Sequence, residues 1–162
     1  MRLRVSFSSR GNLKYGGTVR TRVAGPKAFD HLSLFVRDLT RMRGFYEDVL
    51  GFPLATADPR QARFDAGGSS VVLLADPPFG DPDYRDFVNQ LKGNMRGMGA
   101  AVHFAVEDVD AYFAELRGKG VVPIEPEKNR RLEEPITRPD GRREFAIEDP
   151  EGYWLYFAER GP

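Results

Sequence analysis

One stretch of this sequence occurs twice, and this repetition constrains the fold more than any other feature. Residues 29–51 form a strand-like run that reaches Asp38, then a helix-like stretch that ends in glycine. Residues 101–121 repeat the pattern with Asp108 in the equivalent place. A strand–helix unit of this kind exposes an apolar face that a second unit can cover. The duplication therefore predicts a domain built from two similar modules.

Within each copy, apolar spacing predicts a strand, a helix and then three further strands. The first copy gives a strand from His31 to Val36, a helix from a Thr40 cap to Leu50, and strands over residues 54–57, 61–65 and 69–75. The second gives a strand from Ala101 to Val106, a helix over residues 109–117, and strands near residues 121–124, 143–148 and 153–158. We therefore expect an α+β fold in which two βαβββ modules in tandem form a cupped mixed sheet around a central cavity, with the helices outside.

The boundaries follow from composition. Residues 28–160 form the domain, with module one at 28–76, a Pro- and Gly-rich linker at 77–99 that holds one helix (Tyr84 to Met95), and module two at 100–160. The charged segment 129–142 is expected to be a surface loop. Residues 1–27 carry seven basic and no acidic side chains, so they form a basic N-terminal extension. A transit peptide, a nucleic-acid arm, a docked or disordered tail and a start-codon artefact all remain open for this extension.

Composition narrows the class of protein. The 162 residues, 41% hydrophobic and 30% charged, describe one globular domain. The absence of cysteine excludes disulfides, thiolate metal sites and a cysteine nucleophile. No apolar run approaches the ~20 residues of a membrane helix, and no secretory signal is evident. We expect a cytoplasmic protein without a membrane partner. We expect no nucleic-acid partner either, because the domain lacks a face of interleaved aromatic and basic residues.

Four motifs in order carry a family resemblance. They are residues 31–39, with the sequence HLSLFVRDL, residues 45–52, residues 106–111, and residues 143–152 with the closing strand after them. Over about Ala28 to Glu159 the chain resembles the vicinal oxygen chelate superfamily, which includes glyoxalase I, extradiol dioxygenases and the fosfomycin- and bleomycin-resistance proteins. The resemblance implies paired βαβββ modules around a cup, as the repeat had indicated.

The metal-dependent members of that superfamily use a histidine on the first strand of each module and a carboxylate on the last strand of the second. His31 matches the first position. Aligning Asp38 with Asp108 places Ala101, and not His103, at the second position, and Tyr156 stands at the carboxylate position. Glyoxalase-like members add a carboxylate on the last strand of the first module, but here the strand over residues 69–75 offers no acid or histidine. A divalent centre usually needs about three protein ligands, so we expect no metal cofactor.

Two hypotheses follow. The first is a protein that binds a small molecule in the cup without a catalytic metal, closest to the bleomycin-resistance branch and, like that branch, a homodimer. Its expected cavity residues are His31, Ser33, Phe35, His103, Trp154 and Tyr156. The alternative is a metal-dependent lyase, isomerase or dioxygenase that holds a divalent metal with His31, His103 and Tyr156. Histidines on apolar strand faces are also ordinary cavity-wall residues, so the sequence leaves open whether the protein is an enzyme.

Overall fold

The structure, a computed structural model, describes residues 13–15, 18–20, 28–78, 82–93, 96–97 and 99–159. The chain divides after Asp30 into two units. In the first, β1 (Leu13–Tyr15) pairs antiparallel with β2 (Thr18–Arg20). Apart from these two strands, the segment 1–27, for which the sequence left a disordered tail or an artefact open, lies outside the described residues.

Module one has the predicted order of elements. It contains β3 (His31–Val36), α1 (Leu39–Gly44) continued by a π-helical turn (Phe45–Val49), β4 (Leu54–Ala57), β5 (Gln61–Asp65) and β6 (Ser70–Ala75). The strands form sheet one in the order β3-β6-β5-β4. A short 3₁₀ turn (Pro82–Tyr84) and α2 (Arg85–Gly93) follow in the linker. The prediction of one linker helix is confirmed.

Module two repeats this plan and adds to it. It contains β7 (Ala101–Val106), α3 (Val109–Gly118) and β8 (Ile124–Glu125), then a 3₁₀ turn (Pro126–Lys128), β9 (Arg130–Arg131) and β10 (Ile136–Thr137), and finally β11 (Arg143–Glu148) and β12 (Trp154–Glu159). Sheet two has the order β7-β12-β11-β8-β9, and β10 pairs with β11. The segment predicted as a plain loop therefore contains two short strands.

Each module helix begins after an aspartate that caps it. The side chain of Asp38 accepts a hydrogen bond from the backbone N of Arg41 at 2.9 Å, and Asp108 accepts one from Ala111 at 2.9 Å. The prediction of Thr40 as the cap is wrong, because Asp38 already occupies the capping position and Thr40 lies within the first turn. The repeated Asp-Leu and Asp-Val pairs therefore set where both helices start.

Alternate residues of both sheets contribute to one core. Leu34 and Leu73 from sheet one and Phe145 and Phe157 from sheet two are all buried in the same hydrophobic cluster. Phe52 and Phe104 join the modules directly, with ring centroids 4.9 Å apart. The α+β class and the two-module architecture are confirmed, although hydrogen bonding leaves the strands of the two modules in separate sheets. Among the described residues, no helix combines the length and the apolar character needed to span a membrane.

The turn from Asp149 to Tyr153, between β11 and β12, receives a buried hydrogen bond from module one. The Tyr46 hydroxyl donates to Asp149 Oδ2 at 3.0 Å. The other carboxylate oxygen accepts from the backbone N of Glu151 and of Tyr153, both at 2.9 Å. Burial raises the pKa of Tyr46 well above its usual value, and the neighbouring Asp149 charge adds to this. Tyr46 is therefore a fixed neutral donor between the modules.

Arg96, which follows the linker helix, also contacts the turn between β11 and β12. Its side chain is 3% exposed and donates to the carbonyl oxygen of Phe35 at 2.8 Å. It forms a two-pronged ion pair with Asp76, and its Nε lies 3.6 Å from Glu151 Oε2. One guanidinium thus connects the end of β3, the last residue of module one and the turn of module two.

Two further contacts fix how closely the turn approaches module one. Tyr153 donates its hydroxyl to the Phe35 carbonyl at 2.9 Å, and the backbone N of Arg37 donates to Glu151 at 2.9 Å. Gly97 lies at φ 72°, and a Cβ there would stand 2.9 Å from Tyr153 Cα. Only glycine fits this position, because both its backbone angle and its neighbour exclude a side chain.

We expect Tyr46→Phe to lower the free energy of unfolding by about 2 kcal/mol, because it leaves the buried Asp149 carboxylate without one of its donors. Urea denaturation with an unchanged m-value would measure this loss. Tyr84→Phe is the matched control, since Tyr84 is 48% exposed. Equal stability of the two variants would show that the Tyr46–Asp149 bond does not stabilise the fold.

Candidate functional site

The expected cavity residues of module one share one face of sheet one. His31, Ser33 and Phe35 alternate with core residues along β3, and register places them opposite Ser70, Val72 and Leu74 of β6. We call this face, which points away from the core cluster, the outer face of sheet one. His31 and Ser33 are exposed there, and Phe35 is half-buried. The face therefore presents an imidazole, a hydroxyl and apolar side chains.

The linker helix contacts this outer face. The Phe35 and Phe87 rings meet edge-to-face with centroids 4.8 Å apart. α2 therefore packs against the outer face of sheet one. The reason is its amphipathic sequence, because Phe87, Val88 and Leu91 are half-buried whereas the residues around them are exposed.

The expected cavity residues of module two share the outer face of sheet two. The parallel pairing of β7 with β12 places Trp154 beside Ala101 and Tyr156 beside His103. The His103 and Tyr156 rings stack with centroids 4.5 Å apart and planes 15° apart. Trp154 is 39% exposed and His103 is exposed, whereas Tyr156 is buried. Strand pairing thus brings these three residues into one aromatic row.

A chain of polar contacts continues from the Tyr156 hydroxyl. Tyr156 donates to Glu127 Oε1 at 2.8 Å, and Arg138 lies 3.5 Å from the same oxygen. Arg138 Nε also donates at 2.7 Å to Glu144, which is 2% exposed. Burial raises the pKa of Tyr156 to about 12, and the hydrogen bond to the Glu127 carboxylate contributes to the rise. Tyr156 is therefore held as a neutral phenol.

Sequence reasoning missed Glu127, Arg138 and Glu144 as part of this site. One signal was present: the segment between β8 and β11 covers residues 126–142, whereas residues 58–60 alone separate the equivalent strands of module one. An insertion in one of two repeated units is a place where loops acquire function. The contacts themselves could not be predicted, because they join the insertion to residues of β11 and β12 and depend on how the insertion folds back onto those strands.

The metal centre of the superfamily needs residue types that these positions lack. Ala101 has no ligand atom, and the outer face of β6 carries Ser70, Val72 and Leu74 in place of a carboxylate. Tyr156 would have to lose its proton to bind a metal, which its raised pKa and its bond to Glu127 oppose. The donor set around His31 and His103 therefore does not fit a divalent ion.

In the described part of the chain, three histidine or acidic side chains converge on one possible cation position only at Asp108, Asp110 and Glu159. Asp108 already caps α3, and Asp110 forms an ion pair with Arg143. Both aspartates are exposed. This group has structural partners of its own and includes neither histidine.

Comparisons with known proteins agree with this architecture. Residues 28–157 match the family model of the Glyoxalase/Bleomycin resistance protein/Dioxygenase superfamily. The protein YwbC of Bacillus subtilis is 28% identical over 138 residues, which are 83% of this chain and 98% of YwbC.

Solved structures that are similar to this chain include the following two. TioX from Micromonospora gives a TM-score of 0.59 at 21% identity, with 82% of this chain and 98% of TioX covered. Lactoylglutathione lyase from Agrobacterium tumefaciens gives a TM-score of 0.57 at 20% identity, with 84% of this chain and 96% of the lyase covered. At these identities the structural matches show a shared fold.

We expect the Tyr156 phenol to stay neutral until the pH approaches about 12, and Glu127→Gln to lower its pKa toward the ordinary value of 10.0. A raised phenol pKa favours the neutral form in the folded protein. The protonated Tyr156 phenol therefore stabilises the fold below about pH 10, and this contribution to the free energy of unfolding is lost as the pH rises through about 12.

The Tyr156 titration can be followed by the ¹³Cζ resonance of labelled tyrosine, assigned by comparison with Tyr156→Phe. Glu133→Gln is a control, because Glu133 is an exposed acid paired with Arg117. A Tyr156 pKa that is the same in the wild type and in Glu127→Gln would contradict the role given to Glu127.

Proposed function

Because the chain belongs to the Glyoxalase/Bleomycin resistance protein/Dioxygenase superfamily, we propose that it binds a small molecule in a cup formed by the two outer faces, without a catalytic metal. The walls of this cup would be His31, Ser33 and Phe35 from one sheet, and His103, Trp154 and Tyr156 from the other. Aromatic and apolar walls with a few polar groups are the usual composition of a small-molecule site.

The observation that carries this proposal is the state of Tyr156. It stands where the metal-dependent relatives place a carboxylate. Its hydroxyl donates to Glu127 and its ring stacks on His103. A phenol held neutral in this way suits a hydrogen-bonded, aromatic binding wall. It does not suit a metal ligand, which must be deprotonated.

The alternative function is a metal-dependent lyase, isomerase or dioxygenase, and one observation favours it. His31 lies at the first-strand ligand position of the superfamily and is exposed on the outer face. A metal there would need His103 and Tyr156 as further ligands, and Tyr156 would have to give up Glu127. We therefore rank this function second.

A second copy of the chain would complete the cup. β3 and β7 are edge strands of six residues each, and no hydrogen-bonded ladder joins them within one copy. Long unpaired edges are templates for pairing with another chain. The small exposed residues Ala101 and Ala105 on β7 would allow close approach. We propose a homodimer in which β3 of one copy lies beside β7 of the other, so that each cup uses both copies.

We expect chelator-treated protein to bind the neutral aromatic probe N-phenyl-1-naphthylamine and to show saturable quenching of Trp154, the single tryptophan. His103→Ala should weaken this binding, because it removes the ring stacked on Tyr156. Tyr84→Ala is the control, since it removes an exposed tyrosine from the linker instead. Fluorescence titration gives the dissociation constants.

Metal analysis separates the two functions. Elemental analysis of protein purified without chelator should show no retained metal, and calorimetric titration of chelator-treated protein with Ni²⁺, Zn²⁺ or Mn²⁺ should show no His31-dependent affinity. Stoichiometric metal binding that disappears in His31→Ala would favour the metal-dependent enzyme. Unchanged Trp154 emission with the probe, or equal quenching in both variants, would count against binding in the cup.

We expect sedimentation equilibrium to report a dimer that Ala105→Arg converts to monomer, because the added charge lies on the β7 edge at the proposed contact. Ala114→Arg places the same charge on an exposed position of α3 and should leave the dimer intact. A monomeric wild type, or equal dissociation of both variants, would rule out this mode of pairing.

A further inference from the structure

The insertion of module two forms a groove of its own. Residues 126–142 stand between β8 and β11, and their two short strands run against different partners, β9 against β8 and β10 against β11. Between them lies an open groove of about 840 Å³, within the size range of small-molecule sites. Its lining residues all belong to the segment from Glu125 to Arg143, and none of them is one of the six cup residues.

The floor of the groove is partly apolar and firmly held. Leu132 and Pro135 are buried, and Ile136 is half-buried. Asn129 takes the left-handed conformation at φ 46° and reverses the chain between the 3₁₀ turn and β9. A site held in place before the ligand arrives loses less entropy on binding. The groove therefore offers an apolar surface for the body of an organic molecule.

The charges along the groove do not balance. The lining carries five basic and three acidic side chains: Lys128, Arg130, Arg131, Arg138, Arg143, Glu125, Glu133 and Glu134. Both Lys128 and Arg130 pair with Glu125, at 2.9 and 2.7 Å. Two cations on one carboxylate leave an excess positive charge at the wall formed by the 3₁₀ turn and β9.

Arg131 increases this excess. Its side chain is exposed in the groove, and its guanidinium has no hydrogen-bond or ion-pair partner among the described residues. The basic residues of the other wall differ, because Arg138 is paired with Glu144 and Arg143 with Asp110. The free positive charge of the groove is thus concentrated on β9 and the turn before it.

We propose that this groove is a second ligand site, which binds the oxyanion group of a small organic molecule through the guanidinium of Arg131, which is unpaired among the described residues. A guanidinium fork matches the oxygen geometry of phosphates and carboxylates. The apolar floor around Leu132 and Ile136 contacts the rest of the ligand. This inference does not depend on the function proposed for the cup.

The test uses two probes that differ by one sulfonate. The full-length protein is titrated with 8-anilinonaphthalene-1-sulfonate and with its neutral analogue N-phenyl-1-naphthylamine. We expect Arg131→Gln to weaken binding of the sulfonate probe by about tenfold, the effect of one charge-assisted hydrogen bond. Binding of the neutral probe should be unchanged, because the cup does not use Arg131.

Two further variants make the result specific. Arg41→Gln removes one exposed arginine of α1, which also lacks an ion-pair partner among the described residues, and should leave both probes unaffected. Glu134→Gln removes a negative charge from the groove and should strengthen binding of the sulfonate probe. Equal affinities of Arg131→Gln and Arg41→Gln, or an equal loss for both probes, would overturn the proposal.

Competition identifies the oxyanion. Displacement of the sulfonate probe by inorganic pyrophosphate would assign a phosphate-bearing ligand, and displacement by citrate would assign a carboxylate-bearing one. Failure of both anions to displace it would overturn the proposal, since the observed binding would then depend on the naphthalene ring alone. His103→Ala, which affects the cup, should not change either competition.

Discussion

The rest of the structure depends on the contacts that the Asp149–Tyr153 turn makes with module one. The buried Asp149 carboxylate accepts a hydrogen bond from the Tyr46 hydroxyl. The Glu151 carboxylate accepts one from the backbone N of Arg37 and lies 3.6 Å from Arg96 Nε. These contacts join two sheets that share no hydrogen-bonded ladder. Burying a carboxylate costs free energy unless its oxygens accept hydrogen bonds, so the folded turn depends on the donors that module one supplies. The relative placement of the modules, and hence of their outer faces, follows from that mutual requirement.

The two modules use the same backbone plan for different surfaces. The caps Asp38 and Asp108 start equivalent helices, and the first strand of each module lies at a sheet edge. The outer faces nevertheless differ. Sheet one presents His31 and Ser33 in a mainly apolar surround, whereas sheet two presents an aromatic row. In the function that we propose, this duplicated structure with unlike faces would provide a cup with two kinds of wall, which suits recognition of an asymmetric small molecule.

The insertion between β8 and β11 changes module two in two ways. Glu127 reaches the outer face, where its carboxylate accepts the Tyr156 hydroxyl and adds to the burial that keeps this phenol neutral, and Arg138 contacts Glu127. The same segment forms the basic groove beside Arg131. Since Arg138 lines that groove and also contacts Glu127, one side chain belongs to both regions. The charged segment predicted as a plain surface loop is thus a functional part of the module in our proposals.

By itself the sequence determined the two-module α+β fold, because strand and helix periodicity and the repeated Asp turn are local properties of the chain. Together with the family resemblance, it also predicted that Ala101 and Tyr156 stand at two of the ligand positions of the superfamily. That prediction needed only counting along the chain, from Asp108 for Ala101 and from the turn at residues 149–152 for Tyr156. Only the tertiary structure decided that His103 stacks on Tyr156, that Glu127 accepts the phenol hydrogen, and that Arg131 has no partner in the part of the chain that the structure describes. These outcomes depend on strand register and on which charges meet across the fold, and no local pattern encodes either.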